Sequence, residues 1–279
     1  MSRESGKKTY GLLLINDKDY NQNLCITEIS CETDFVANTD DFRNFCLVVQ
    51  STLQSLQSTQ NIDNTQNIEI INNINSNNAN INLLDTTKSL IAKTGENCKV
   101  IRMEHIIFKN HEVCGIYLHG NINLKNHCSS GAYCVLSINK NVNNTNIKKE
   151  LIELANLLSM QIVAMNPIYI SKESIPDHIY KKEIEIIEDK LKNTYTAKNS
   201  KPKSKEIMDK MINNSYNKFL EEKVLLEQVF VINKDSYDSG SEDKNDPEKN
   251  TFVKVKDYIK NISKNLDVDI KIIDFNHYK

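Results

Sequence analysis

The chain has 279 residues and a formal net charge of −2, long enough for one or two domains and unlike nucleic-acid binders, which carry a basic face or a pI above about 9. No apolar run approaches the ~20 residues of a membrane span. Seven cysteines stand as singletons with no C-x-x-C, in a chain too large to need stapling, and read as thiols of a reducing compartment.

The start, "MSRESGKKTYG", holds neither the apolar core of a secretory signal nor the long Arg- and Ser-rich stretch of a transit peptide. Either the protein stays where it is made, or a presequence precedes this numbering. Residues 10–30 predict two strands around the turn-forming "NDKD", with Leu24, Ile26 and Glu28 alternating against Cys25, Thr27 and Ile29. A helix follows from Asn38 to Leu56, its apolar stripe formed by Phe42, Phe45, Val49, Leu53 and Leu56 and its N-cap by Thr39 or Asp40. The intervening "TDFV" therefore delivers a strand into a helix.

Residues 57–80 are Asn/Ile-rich and low in complexity, and are expected to form a disordered insertion. "LLDTTKSLIAKTGEN" predicts a short helix with Gly95 at its C-cap. Strands at Lys99 to Phe108, Glu112 to His119 and Ala132 to Asn139 are expected to form a meander. An amphipathic helix over Ile147 to Met165 presents Leu151, Leu154, Leu158, Ile162 and Met165, and Asn166 before Pro167 stops it. Helices at Pro176 to Lys192 and Lys203 to Lys223, joined by a short polar link, predict an antiparallel hairpin. Its sparse apolar positions, among them Ile187, Tyr216 and Leu220, suit a projecting element. An acidic loop at 235–250, a helix over Phe252 to Ile262 and a strand over Val268 to Phe275 complete the chain.

Grouped antiparallel strands with flanking helices imply an α+β fold. The expected organisation is an N-terminal core subdomain at 1–97 carrying the insertion, a C-terminal core subdomain at 98–175 and 225–279, and a helical hairpin at 176–224.

No phosphate-loop, dinucleotide, nucleophile-elbow or H-E-x-x-H motif occurs, and seven glycines leave little for a phosphate cradle. His111, Cys114, His119, His127, Cys128 and Cys134 include zinc-ligand types, but the H-x-x-C pair has no second close pair. They read as core thiols and loop histidines, and no metal or cofactor is expected. Asp40-Asp41 and Glu221-Glu222 read as solvated helix faces. In "CETDFV" two readings stay open: Asp34 caps locally while Phe35 packs beneath the next helix, or the two are exposed for recognition.

Five blocks share one resemblance: "ISCETDFVANTDDFRNF" at 29–45, "GIYLHG" at 115–120, "MQIVAMNPIYISKESIP" at 160–176, "KPKSKEIMDKMINNSYNKFLEE" at 201–222 and "LLEQVFV" at 225–231. In this order they resemble the elongation factor Ts family, guanine nucleotide exchange factors for elongation factor Tu. The resemblance implies two α+β subdomains with a projecting hairpin, no covalent chemistry, and elongation factor Tu, GDP-bound or nucleotide-free, as partner, with no direct nucleic-acid or membrane contact. It places Thr33, Asp34, Phe35 and Val36 in a loop that wedges into the partner's G domain and disturbs its magnesium site, and His119 and Gly120 of the "YLHG" turn near another partner domain. The family's N-terminal three-helix module is not matched, "NINLKNHCSS" is inserted after "HG", and Val229 replaces a proline. The alternative function is a docking or structural protein that binds through its hairpin. Asn-rich insertions typical of AT-rich eukaryotic genomes point to the mitochondrion, or else a plastid, ahead of a bacterial cytoplasm.

Overall fold

The computed structural model describes residues 10–16, 23–57, 75–76, 81–121, 127–139, 145–197, 205–231 and 253–278. It divides into two compact units, Met1–Tyr133 with His277–Lys279, and Cys134–Asn276. Helices combine with antiparallel strand pairing, the α+β class expected.

In the first unit β1 (Tyr10–Asn16) and β2 (Asn23–Cys31) pair antiparallel, with Tyr10 opposite Cys31 and Asn16 opposite Cys25. The other edge of β2 pairs along its length with β5 (Lys99–Ile107). Glu28 faces Arg102 and Ile29 faces Val100, so β5 carries one extra residue, a bulge that bends the ladder near the end of β2. Being central, β2 is buried on both faces there: Ile26, Thr27, Ile29, Ser30 and Cys31 are all covered.

Helix α2 (Asp40–Gln57) places Phe42, Phe45, Cys46 and Val49 at i, i+3, i+4 and i+7, the spacing of a single buried stripe. They form a core with Ile29, Cys31, Leu83, Leu90, Cys98 and Val100. The side chains of Leu53 and Leu56 lie outside the described residues. Helix α3 (Leu83–Thr94) closes this core and ends as predicted at Gly95, whose N–H donates to Ile91 O at 2.8 Å with φ at +71°. Most of the expected insertion at 57–80 lies outside the described residues; within it β3 (Asn75–Ser76) pairs with β4 (Ile81–Asn82).

The expected meander is corrected. Strands β6 (Glu112–Asn121) and β7 (His127–Ile138) pair with each other, and the strand order β5-β2-β1-β7-β6 sets β5 and β6 at opposite ends. Alternation marks a strand but not its neighbour. Strand β7 also begins five residues earlier than expected, at His127, because Leu13 and Leu14 of β1 face Cys128 and His127 and give this polar stretch a backbone partner.

In the second unit α4 (Thr145–Met165) buries Leu151, Leu154, Leu158 and Ile162 as predicted. Met165 does not join them and is 39% exposed. The stripe stops a turn early because the chain leaves the helix at Asn166, left-handed with φ at +48° ahead of Pro167. Helices α5 (Asp177–Ala197) and α6 (Lys205–Lys223) form the hairpin. Tyr180 in the first turn of α5 meets Tyr216 late in α6 edge-on at 5.1 Å, which requires antiparallel axes. Ile175, Leu220 and Val224 make a small core at its base with Tyr169 and Ile179.

The segment after α6 is pinned by two buried glutamines. Gln161 Nε2 donates to Gln228 Oε1 (3.3 Å) and Val229 O (3.0 Å), and Val231 N–H donates to Gln161 Oε1 at 3.0 Å. Glu227 accepts from Lys254 and Lys256, with Lys172 at 3.4 Å. The chain closes with α7 (Val255–Leu266), ended by left-handed Asp267, and β8 (Ile270–Tyr278). Among the described residues no helix is long and apolar enough to cross a membrane.

Candidate functional site

The path from β2 to α2 is built from short-range caps. Cys31 Sγ donates to Thr33 O at 3.2 Å. Thr33 is extended (φ −131°, ψ 156°) and caps a single helical turn, α1 (Asp34–Ala37), its Oγ1 accepting the Val36 N–H at 3.3 Å. Asn38 closes the turn, its Nδ2 donating to Asp34 O at 2.8 Å. Thr39 then caps α2, its Oγ1 accepting the Phe42 N–H at 3.2 Å, so Thr39 rather than Asp40 is the N-cap.

This turn is two-sided. Val36 and Ala37 are buried in the core beside Phe42 and Phe45, while Asp34 is exposed and Phe35 is 83% exposed. The local reading, in which Phe35 staples the following helix from beneath, is thereby excluded. Such an aromatic is recognition-grade material: an apolar body held out into water beside a carboxylate at a helix N-terminus.

A further residue holds the turn that sequence reasoning missed. Glu96 Oε2 accepts the N–H groups of Glu32 and Thr33, both at 3.0 Å, and Oε1 accepts the Thr33 hydroxyl at 2.5 Å. Glu96 reaches them because left-handed Gly95 ends α3 and turns the chain. Its own N–H donates to Thr94 Oγ1 at 3.3 Å. The only trace in the sequence is the glycine before it.

His119 and Gly120 lie elsewhere, in the last residues of β6 rather than in a turn. Both are exposed. Tyr117 and His119, two apart on one strand face, approach through Tyr117 OH and His119 Nδ1 at 3.3 Å. Gly120 has φ at +72°, and Ser129 Oγ donates to His119 O at 3.4 Å beside it. Among the described residues no hydrogen bond, ion pair or ring contact joins this pair to Thr33–Val36.

The His/Cys stretch is dispersed. Cys114, Cys128 and Cys134 are buried thiols, and burial pushes Cys128 up to about 12, against the thiolate character a metal ligand needs. His111 lies 3.8 Å from Glu112, and the His127 side chain is outside the described residues. Among the described residues no three His, Cys, Asp or Glu side chains converge to hold a metal.

The family model "Elongation factor TS" matches residues 32–279. Elongation factor Ts of Clostridium acetobutylicum is 27% identical over 250 residues, 90% of this chain and 73% of that protein. Elongation factor Ts of Orientia tsutsugamushi is 27% identical over 290 residues, 100% of this chain and 75% of that protein. Mitochondrial elongation factor Ts of Plasmodium chabaudi chabaudi is 31% identical over 150 residues, 53% of this chain and 33% of that protein. Bacterial and mitochondrial proteins thus both stand among its relatives. With the family match running from Glu32, at the mouth of the exposed turn, to the last residue, the chain belongs to the elongation factor Ts family.

Proposed function

We propose that this protein is a guanine nucleotide exchange factor for elongation factor Tu, promoting GDP release during translation elongation by inserting α1 into the partner's G domain. The observation that carries the reading is Phe35, 83% exposed on a turn whose next two residues are anchored in the core. Burying a phenyl ring in a partner pocket gains about 1.5–3 kcal/mol. Asp34 beside it brings a negative charge that competes for groups around a metal–phosphate site. Thr33 and Val36 act from beneath, one as cap and one as anchor. His119 and Gly120 supply a second, separate contact from the end of β6.

Exchange requires no covalent step, nucleotide site or cofactor of its own. The factor spends binding energy on a partner state that holds nucleotide badly. By linkage, a thousandfold weakening of nucleotide binding implies an equal weakening of the factor by nucleotide, about 4 kcal/mol of coupling. Relatives named as mitochondrial, from Plasmodium chabaudi chabaudi and Oryza sativa, together with the Asn-rich segment, support the mitochondrion as its place of action.

Stopped-flow release of labelled GDP from elongation factor Tu tests the reading. The protein should accelerate release, and Phe35→Ala should lower that acceleration by about tenfold, the equivalent of the lower end of the burial energy above. Equal rates for both proteins would remove the wedge role. A docking protein acting through its hairpin would instead bind elongation factor Tu equally well with and without GDP.

A further inference from the structure

Resting on the exchange reading, we infer that Glu96 is the positioning residue of the exposed turn: its carboxylate fixes Thr33–Val36 in the geometry that presents Phe35. A four-residue helix cannot sustain itself, because fixing the first turn costs more than its few hydrogen bonds return. Something outside the turn must hold it. Burial of Val36 and Ala37 anchors its underside. The approach to it is held by Glu96, 63 residues away in sequence, through three charge-assisted hydrogen bonds to Glu32 N–H, Thr33 N–H and the Thr33 hydroxyl.

The third of these bonds has a directional consequence. A hydroxyl has one proton and two lone pairs. With its proton committed to Glu96, Thr33 Oγ1 must offer a lone pair elsewhere, and the Val36 N–H takes it at 3.3 Å. Glu96 thus orients the cap and the cap closes the turn. Among the described residues no hydrogen bond or ion pair joins Glu96 to the side chains of Asp34 or Phe35, so its action on a partner runs through them. A turn already in its binding geometry spares the ordering cost on association. If only a fraction of molecules present it, the apparent dissociation constant rises by the inverse of that fraction.

Glu96→Ala should raise the factor concentration that half-saturates GDP release by about tenfold, the effect of a turn correctly formed in roughly one molecule in ten. The limiting rate at saturation should stay within about twofold of wild type. Glu96→Gln keeps one acceptor oxygen for the two N–H groups and should fall between. In a Phe35→Ala background, Glu96→Ala should add clearly less than its effect in the wild-type protein, because the two act in part through one contact. Amide exchange at Glu32 and Thr33 should quicken in Glu96→Ala while α2 keeps its protection. An unchanged half-saturating concentration, an equal penalty in both backgrounds, or unaltered exchange at Glu32 and Thr33 would overturn the positioning role. A wild-type protein that fails to accelerate GDP release would instead overturn the exchange reading, leaving the amide exchange to decide the role of Glu96 in the turn.

Discussion

Gly95 and Gly120 provide a matched pair in which backbone and steric costs separate. Their φ angles are +71° and +72°, a region that an L side chain enters at a cost of about 1 kcal/mol. A Cβ on Gly95 would meet nothing within 4 Å, so Gly95→Ala should lose about 1 kcal/mol, the conformational cost alone. A Cβ on Gly120 would run into Ser129 Oγ. Ser129 is exposed and can rotate, giving up its 3.4 Å bond to His119 O, which adds under about 1 kcal/mol. Gly120→Ala should therefore lose about 1.5–2 kcal/mol. Made in a Ser129→Ala background, where that bond is already gone, Gly120→Ala should cost only as much as Gly95→Ala, because the remaining Ser129 Cβ lies at 3.6 Å, an ordinary contact. Urea unfolding followed by far-UV circular dichroism reads these differences as midpoint shifts at constant slope. A Gly95→Ala variant costing more than Gly120→Ala, or a Gly120→Ala cost undiminished in the Ser129→Ala background, would refute the reasoning.

Other consequences follow from burial and charge. Phe42→Ala, at a fully buried position, should cost about 3–5 kcal/mol, while Phe35→Ala should change stability by less than about 0.5 kcal/mol, both measured by the same unfolding assay. Burial pushes the Glu227 carboxyl up, but the hydrogen bonds from Lys256 and Lys254 and the charges of Lys172 and Lys256 outweigh it and hold the group below its ordinary value. Its stabilisation is complete above about pH 4.3, the unfolded value, and is lost as pH falls through the folded value. Glu227→Gln should be less stable than wild type at pH 7, with the gap closing in acid; a gap independent of pH would dismiss the lysine cluster as its cause. Burial, with Cys98 and Glu96 adding, pushes the Cys31 thiol up to about 12. Alkylation at pH 8, mapped by mass spectrometry, should accelerate about 100-fold or more on unfolding, and rapid labelling of native Cys31 would refute its burial.

Local pattern carried much of the fold. The stripe of Phe42, Phe45 and Val49, the stop at Asn166 and the C-cap at Gly95 each depend on residues within one or two turns, so each is legible in the sequence. The partner of β5 was not legible, because pairing with β2 spans about seventy residues or more and alternation is the same whichever strand lies alongside. Met165 fits the stripe by periodicity and misses it in space, since the pattern does not register where the core beneath a helix ends. Glu96 was invisible for the reason β5 was: a carboxylate in a polar turn reads as solvated until the chain 63 residues earlier is brought to it.

The same distinction explains why Phe35 stood open between two readings. Both require an aromatic beside a helix start, and they differ only in which residues of the turn face the core. At about 100° per residue, four residues cannot all reach one side, and here Val36 and Ala37 take the inward positions. The inward pair is small and aliphatic, fitting beneath a turn already crowded by Phe42 and Phe45. A one-residue slip would put Phe35 inward, where a ring must displace packed side chains at a cost of about 1–3 kcal/mol. It would also turn Val36 toward water and break its N–H bond to Thr33. The register that exposes Phe35 is thus set by the poor fit of the alternative as well as by the caps. Substituting the exposed ring therefore tests recognition, whereas substituting Val36 tests the fold.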